Sequence, residues 1–393
     1  MAGGNLLLIQ AGGPTQVINE TLFAALDETR RQCGTGKVFG ARRGLEGLIH
    51  GEMADLNLLT ETQLAQIRNS PGAVLGSSRA KPSDEEMNTI LEHLREREIH
   101  QVMLIGGNGT MRAALALSRF CRDERYELQV IGIPKTVDND INGTDRCPGY
   151  ASAANFIAQS TRDLGMDVRS LSQPVSILET MGRDVGWLAA ATVMAKKDKH
   201  DAPHLVYIPE IAFELDKFLA DLDEILIRQD WAIVVVSEGI RDSAGRPVYE
   251  NAEQSQRDEF DRPLPGGVGR SLAEIVTRRL KVRCRDEKPG LLGRSSMRHV
   301  TPRDKADAEL VGRAACRALA ADETEKMVAL MPLRDGTAAE TTLLPLEKIS
   351  AQARGFPGEW ICDGNPPTNG LFTEYLRPLI GKLLEYENVF DYA

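Results

Sequence analysis

The chain has 393 residues, 42% of them hydrophobic and 26% charged, with a formal net charge of −10. That length suits two α/β lobes better than one core, and the composition is that of a soluble globular enzyme. The negative balance argues against a nucleic-acid partner, which needs a basic face, and no apolar run approaches the ~18 residues of a membrane span. The N-terminal MAGGNLLLIQAGG has no basic n-region or cleavage site, and its apolar run is only a strand's length. A cytoplasmic protein is therefore expected. The six cysteines, Cys33, Cys121, Cys147, Cys284, Cys316 and Cys362, contain no CxxC pair and read as reduced structural thiols.

In chain order, an apolar strand over roughly residues 5–11 runs into Gly12-Gly13-Pro14. A helix then carries Ile18, Leu22 and Leu26 on one face, with Pro14 suited to its first turn. A second strand–turn–helix spans Gln101 to Phe120, and a third strand, LQVIGIP, ends at Pro134 and opens into KTVDNDINGTDRCPGY. A helix is expected from about Ala151 to Leu164, with VSILET, WAIVVVSEG and KMVALMP as further buried strands. Strands alternating with helices imply mostly parallel sheets covered on both faces, whose ligands collect at the strands' carboxyl ends. The fold class is thus α/β, with two Rossmann-like lobes. One lobe is expected over 1–149 plus about 290–325, the other over about 150–289 plus 326–393. The basic stretch from Lys281 to Arg303 reads by itself as a solvated surface.

Three motifs carry chemistry. Gly12-Gly13 and Gly106-Gly107-Asn108-Gly109 each join a strand to a helix, which lets backbone N–H groups approach a phosphate. Neither turn is GxxxxGK[ST] or GxGxxG; tight packing is the bland alternative. In PKTVDNDINGTD, Asp138 and Asp140 follow a buried strand two residues apart, and an extended loop would aim both at one site. Phosphoryl transfer to an alcohol needs a base, a cation and strict positioning. Asp138 fits the base, Asp140 an oxygen ligand for Mg²⁺, and Lys135 a charge for the transferring group. A turn that merely caps the next helix competes with this reading. In LETMGRDVGW, Met181-Gly182-Arg183 can offer backbone donors and a guanidinium to a phosphorylated substrate, or simply pack and cap. Glu238, after VVVS, either binds sugar hydroxyls or ends a strand.

The ordered set GGP, GSSR, GGNGT, PKTVDND, ETMGRDVGW, SEG and PGLLGRSS resembles the phosphofructokinase family from about Asn5 to beyond residue 330. RDVGWLAAA, SMRHVTPRDKADAELVGRAA and the long C-terminal part look most like its branch with pyrophosphate-dependent enzymes. The resemblance implies the phosphofructokinase fold, the 1–149 lobe holding the phosphoryl donor and the other lobe the sugar. It assigns Gly13, Arg79, Gly106, Gly107, Asn108, Gly109 and Thr110 to the donor. Arg79 and Lys135 would join Asp138 in catalysis. Thr136 and Asp138 would face the acceptor, with Asn108 and Asp140 at Mg²⁺. Met181, Gly182, Arg183 and Glu238 would contact the sugar, and Arg294 its distal phosphate. Arg285, or Arg283 in its place, would reach in from a neighbouring subunit, so a homodimer or homotetramer is expected.

The implied reaction is glycolytic: transfer from ATP or pyrophosphate to the 1-hydroxyl of fructose 6-phosphate. Three departures from the family pattern qualify it. Asn108 stands where many members place an aspartate. Gly109 replaces the aspartate typical of pyrophosphate users and leaves nucleotide space open, which tips the donor towards ATP, although Lys135 is the pyrophosphate-type residue. Pro174 and Leu291 replace a cross-subunit arginine and a His or Tyr at the sugar phosphate; each lost charged hydrogen bond costs about 1.5–3 kcal/mol. Another sugar phosphate, an unphosphorylated polyol, or a non-catalytic sugar-phosphate sensor are the competing readings. The missing GxGxxG sets aside a nicotinamide-dependent oxidoreductase.

Overall fold

The computed structural model describes residues 4–32, 36–172, 174–248, 267–334, 338–351 and 353–387. Two compact units divide the chain, Met1–Ser152 with Arg294–Arg354, and Ala153–Gly293 with Gly355–Ala393.

In chain order the first unit contains β1 (Asn5–Gln10), α1 (Ile18–Arg31), β2 (Val38–Ala41), α2 (Gly44–Ile49), β3 (Met53–Asp55) and α3 (Glu61–Arg68). It continues with α4 (Asp84–Glu96), β4 (Ile99–Gly106), α5 (Asn108–Asp123) and β5 (Gln129–Pro134). Helix α6 (Tyr150–Arg169) leads out of it. The second unit holds β6 (Pro174–Thr180), α7 (Trp187–Ala191), β7 (Leu205–Tyr207), α8 (Leu215–Gln229), β8 (Ala232–Ser237), α9 (Val268–Leu280) and β9 (Arg283–Glu287). The chain then returns through α10 (Leu292–Ser295) to α11 (Pro302–Ala320), β10 (Lys326–Leu330), β11 (Thr341–Pro345) and α12 (Leu346–Ala351), and ends in the second unit with α13 (Gly370–Ile380).

The first unit's sheet has the order β11-β10-β5-β4-β1-β2-β3, parallel inside and antiparallel at both edges. Its central strands read as continuous apolar runs because both faces are covered. Along β1, Leu7 and Ile9 enter one buried cluster while Leu6 and Leu8 enter the other, as the two-residue period of a strand requires. Each such side chain contributes roughly 1.5–3 kcal/mol by burial. The second unit's sheet, β7-β8-β6-β9, is parallel throughout.

Several helix starts are locally encoded. Ser83 and Glu86 form a reciprocal capping box at α4, as Thr60 and Gln63 do at α3. Thr301 caps α11 with Pro302 at its first position. Helix α1 differs from expectation: it begins at Ile18, leaving Pro14 in the turn before it. The lobe limits differ as well. Strand β10 pairs with β5 and β11 with β10, so residues 326–354 extend the first unit, where a limit at 325 would have put them in the other. Cys121, Cys147, Cys284, Cys316 and Cys362 are free thiols; Cys33 lies outside the described residues. Among the described residues no helix is long and apolar enough to cross a membrane.

Candidate active site

In the first unit the sequence order β1 then β2 runs one way across the sheet, while β4 lies on β1's other side. That is a topological switch point, and ligands of open α/β sheets bind outside the strand ends there. The turn after β1 brings Gly12 and Gly13, the turn after β4 brings Gly107 and Asn108, and the loop after β5 brings Lys135 to Asp140. A cleft of about 480 Å³ opens at this edge, lined by Gly12, Gly13, Pro14, Ala73, Ser77, Ser78, Arg79 and Arg294.

Its wall is held by a buried amide network. Gln10 Oε1 accepts from Leu75 N at 3.0 Å, Gln10 Nε2 donates to Asn19 Oδ1 at 3.0 Å, and Asn19 Nδ2 donates to the carbonyls of Ser70 and Gly72, both at 2.8 Å. Gly12, in the left-handed region at φ 74°, donates to Ser78 O at 3.1 Å and accepts from Ser77 Oγ at 2.6 Å. Together these bonds fix the Gly-Ser-Ser-Arg segment against β1.

Lys135 is buried, and its Nζ donates to Gly13 O at 2.6 Å. Burial, and then the charges of Arg294 and Arg79, push its pKa down to about 7, while Asp138 and Asp140 pull the other way. Arg294 Nη1 fills the space a Cβ on Gly13 would need, so a side chain there would displace the guanidinium. Burial and Arg79 lower the Arg294 pKa as well. Lys135, Arg294 and Arg79 therefore meet at one glycine turn, where their mutual repulsion favours the binding of an anion. Arg294, expected at the sugar's distal phosphate, lies in the first unit, as its place after residue 290 implied, and lines this cleft.

Asp138 N donates to Thr136 Oγ1 at 3.1 Å. The aspartates are not on an extended loop as expected, because Asn139 between them is left-handed (φ 53°) and buried, its Oδ1 accepting from Cys147 N at 2.9 Å. Asparagine tolerates that conformation better than most residues. Asn108 Nδ2 donates to Asp140 O at 3.0 Å and Asp140 Oδ2 at 2.9 Å, which turns Asn108 Oδ1 the other way. That oxygen is buried with no hydrogen-bond partner. An orphaned acceptor of this kind fits a hard cation that takes its remaining ligands from phosphate and water. Among the described residues no group of three or more His, Cys, Asp or Glu is arranged for a metal, so a cation here depends on the substrate for ligands.

Helix α5 starts at Asn108 with Gly107 as its N-cap and no side-chain cap, leaving first-turn N–H groups for an anion. Thr110, expected at the donor, is instead buried against Gly106, where any Cβ would collide with it. Gly109 is different: a Cβ there would meet only Arg112 Nη2, at 4.0 Å.

In the second unit, Met181-Gly182-Arg183 follows β6 and Glu238 follows β8. Gly182, at φ 134°, donates to Glu238 Oε1 at 3.4 Å and accepts from Ser237 Oγ at 2.5 Å. Burial raises the Glu238 pKa, opposed chiefly by Lys288. Two residues that sequence reasoning missed complete this group. Glu179 is buried and accepts from Gly267 N at 3.0 Å and Gly269 N at 2.9 Å, capping α9 from β6. Lys288 Nζ lies 2.7 Å from Glu179 Oε1 and 3.9 Å from Glu238 Oε2. Arg283 and Arg285 are exposed on β9, the edge strand, with Pro174 opposite Arg283 in β6, and Leu291 is exposed.

A cationic cleft, a carboxylate pair beside it and a buried carboxylate, Glu238, at the strand ends of a second α/β unit fit one class: phosphotransferases with an alcohol acceptor. The family model described as Phosphofructokinase matches residues 5–319. A "Pyrophosphate--fructose 6-phosphate 1-phosphotransferase" of Rhodospirillum rubrum is 34% identical over 97% of this chain and 95% of that protein. A "Sulfofructose kinase" of Alkalicoccus urumqiensis is 35% identical over 87% of each. The crystal structure of a pyrophosphate-dependent phosphofructokinase from Marinobacter aquaeolei superposes with a TM-score of 0.86 at 28% identity, covering 98% of this chain and 94% of that one. The chain belongs to the phosphofructokinase family.

Proposed function

We propose that this enzyme is a Mg²⁺-dependent cytoplasmic 6-phosphofructokinase that transfers a phosphoryl group from ATP to the 1-hydroxyl of fructose 6-phosphate in glycolysis. The convergence of Lys135, Arg79 and Arg294 on the Gly13 turn, with Asp138 close enough to act on Lys135, carries this reading. Asp138 accepts the proton of the attacking hydroxyl, so that the oxygen is an alkoxide as it meets phosphorus in line. Lys135, Arg79 and Arg294 stabilise the charge on the transferring group, and Gly107 and the α5 N-terminus hold the donor. Asp140 and Asn108 would hold Mg²⁺, which supplies further neutralisation of the phosphate charge. Thr136 orients the Asp138 loop, Met181, Gly182, Arg183 and Glu238 hold the sugar, and Arg285 reaches a neighbouring copy in a homodimer or homotetramer.

Gly109 favours ATP. The backbone there needs no glycine, so its value is the room it leaves and the carboxylate it withholds. A second reading, pyrophosphate as donor, is supported by Lys135 and by the name of the Rhodospirillum rubrum relative. A second acceptor, sulfofructose, is favoured by exposed Leu291 and by Pro174, which offer nothing to a phosphate, and by the Alkalicoccus urumqiensis relative.

The test is a donor-by-acceptor matrix with Mg²⁺: ATP and pyrophosphate against fructose 6-phosphate, sedoheptulose 7-phosphate, sulfofructose and polyols, with products weighed by mass spectrometry. Fructose 1,6-bisphosphate from ATP is expected. Turnover with pyrophosphate alone would reverse the donor, and silence with fructose 6-phosphate beside turnover of another acceptor would reverse the sugar.

A further inference from the structure

We propose that Arg354 is a positioning residue for phosphoryl transfer, holding the loop that carries Asp138 and Asp140 in its reactive shape. This rests on the assignment of those two aspartates to the reaction.

The loop between β5 and α6 is long, and its ends are held differently. Its return is fastened to the unit's core: Thr144 Oγ1 accepts from Leu330 N at 2.9 Å, Asp145 N donates to Leu330 O at 2.9 Å, and Arg146 makes a buried bidentate pair with Asp307 at 2.6 and 2.8 Å. Its outward half, with the aspartates, is held from above by residues 353–354. Ala353 forms an antiparallel bridge with Ile141, and Arg354 N donates to Asp140 O at 2.7 Å. The Arg354 guanidinium then spans to the return half, where Nη1 donates to Thr144 O at 3.0 Å and to Asp145 O. One residue thus ties the two halves together through main-chain carbonyls.

The consequence reaches the carboxylates. Asp140 O accepts from both Arg354 N and Asn108 Nδ2, and the same amide reaches Asp140 Oδ2. Asp140 is therefore fixed at backbone and side chain. Asp138 is two residues away across the left-handed Asn139, so a shift of Asp140 is passed to it with little slack. Arg354 acts through the loop, by these main-chain bonds. A misplacement of about 1 Å in such a group can cost ~100-fold in rate.

The experiment compares Arg354→Ala and Arg354→Lys with wild type and Asp138→Asn, all in the full chain. It measures kcat, KM for each substrate, melting temperature, and rescue by millimolar guanidinium ion. Arg354→Ala should lose about 10–100-fold in kcat with donor KM and melting temperature nearly unchanged, and guanidinium should restore part of the loss. Arg354→Lys, which keeps a single donating nitrogen where Nη1 reaches both carbonyls, should fall between. Wild-type kcat in Arg354→Ala beside a dead Asp138→Asn would overturn the proposal alone. So would a loss that merely tracks unfolding and ignores guanidinium. If the alanine variant does not fold, a stable lysine variant with full kcat overturns it. An active Asp138→Asn would remove the aspartate assignment, and this proposal with it.

Discussion

The strand ends of the two units carry opposite chemistry. At the strand ends of the first unit, Lys135, Arg79 and Arg294 surround a glycine turn with Asp138 and Asp140 beyond them. At the strand ends of the second, Glu179 and Glu238 face the half-exposed Lys288. Burial drives the two sets apart: it lowers the Lys135 pKa to about 7 and raises that of Glu238. A site that gathers like charge at the cost of burial is prepared for the opposite charge. The first favours an anion, as the proposed donor requires; in the second Lys288 already supplies the opposite charge, and the Glu238 carboxyl fits the hydroxyls of the proposed sugar.

The sharpest way to break this contrast is Asp138→Asn, which keeps the shape and removes the base; kcat should fall by about 10²–10⁴-fold with the melting temperature unchanged. Near-normal turnover would remove Asp138 from the reaction. Gly109→Asp tests the donor side next. The added carboxylate enters open space, so the fold should tolerate it, while ATP affinity drops at least tenfold relative to pyrophosphate, as read from paired KM values.

A smaller effect follows from Lys135. An anionic donor stabilises the ammonium and raises its pKa, so above pH 7 binding must take up a proton. Donor affinity should therefore weaken as pH rises from 7 to 9, and calorimetry in buffers of different ionisation enthalpy should show uptake. No uptake at pH 8 would mean that Lys135 is already charged in the free enzyme. Last, Glu179→Gln should cost about 1–3 kcal/mol of stability, because the remaining amide oxygen can still accept from the α9 backbone but the NH2 group then faces Lys288, where the carboxylate Oε1 had paired with it. Denaturant unfolding measures it.

Legibility in the sequence depended on whether the cause was local. The glycine turns, the TVDND loop and Met181-Gly182-Arg183 each adjoin an apolar strand, so their place at strand ends follows from the neighbouring residues alone. Strand β9, RCRDE, escaped notice because an exposed edge strand buries no apolar face and shows no alternation. The 325 limit failed because β10 reads as a buried strand in either lobe, and only its pairing with β5 decides. That the Arg294 side chain packs over Gly13 was not legible, because the two residues are distant in sequence. Glu179 was hidden inside a strand, and Arg354 binds main-chain carbonyls, which leave no pattern in side chains.

The division of labour between the units is tested most directly by equilibrium binding of donor and of sugar phosphate to Lys135→Ala and Glu238→Gln. The account predicts a crossed result: Lys135→Ala weakens the donor and spares the sugar, and Glu238→Gln weakens the sugar and spares the donor. One variant weakening both ligands equally, with its fold intact, would contradict it.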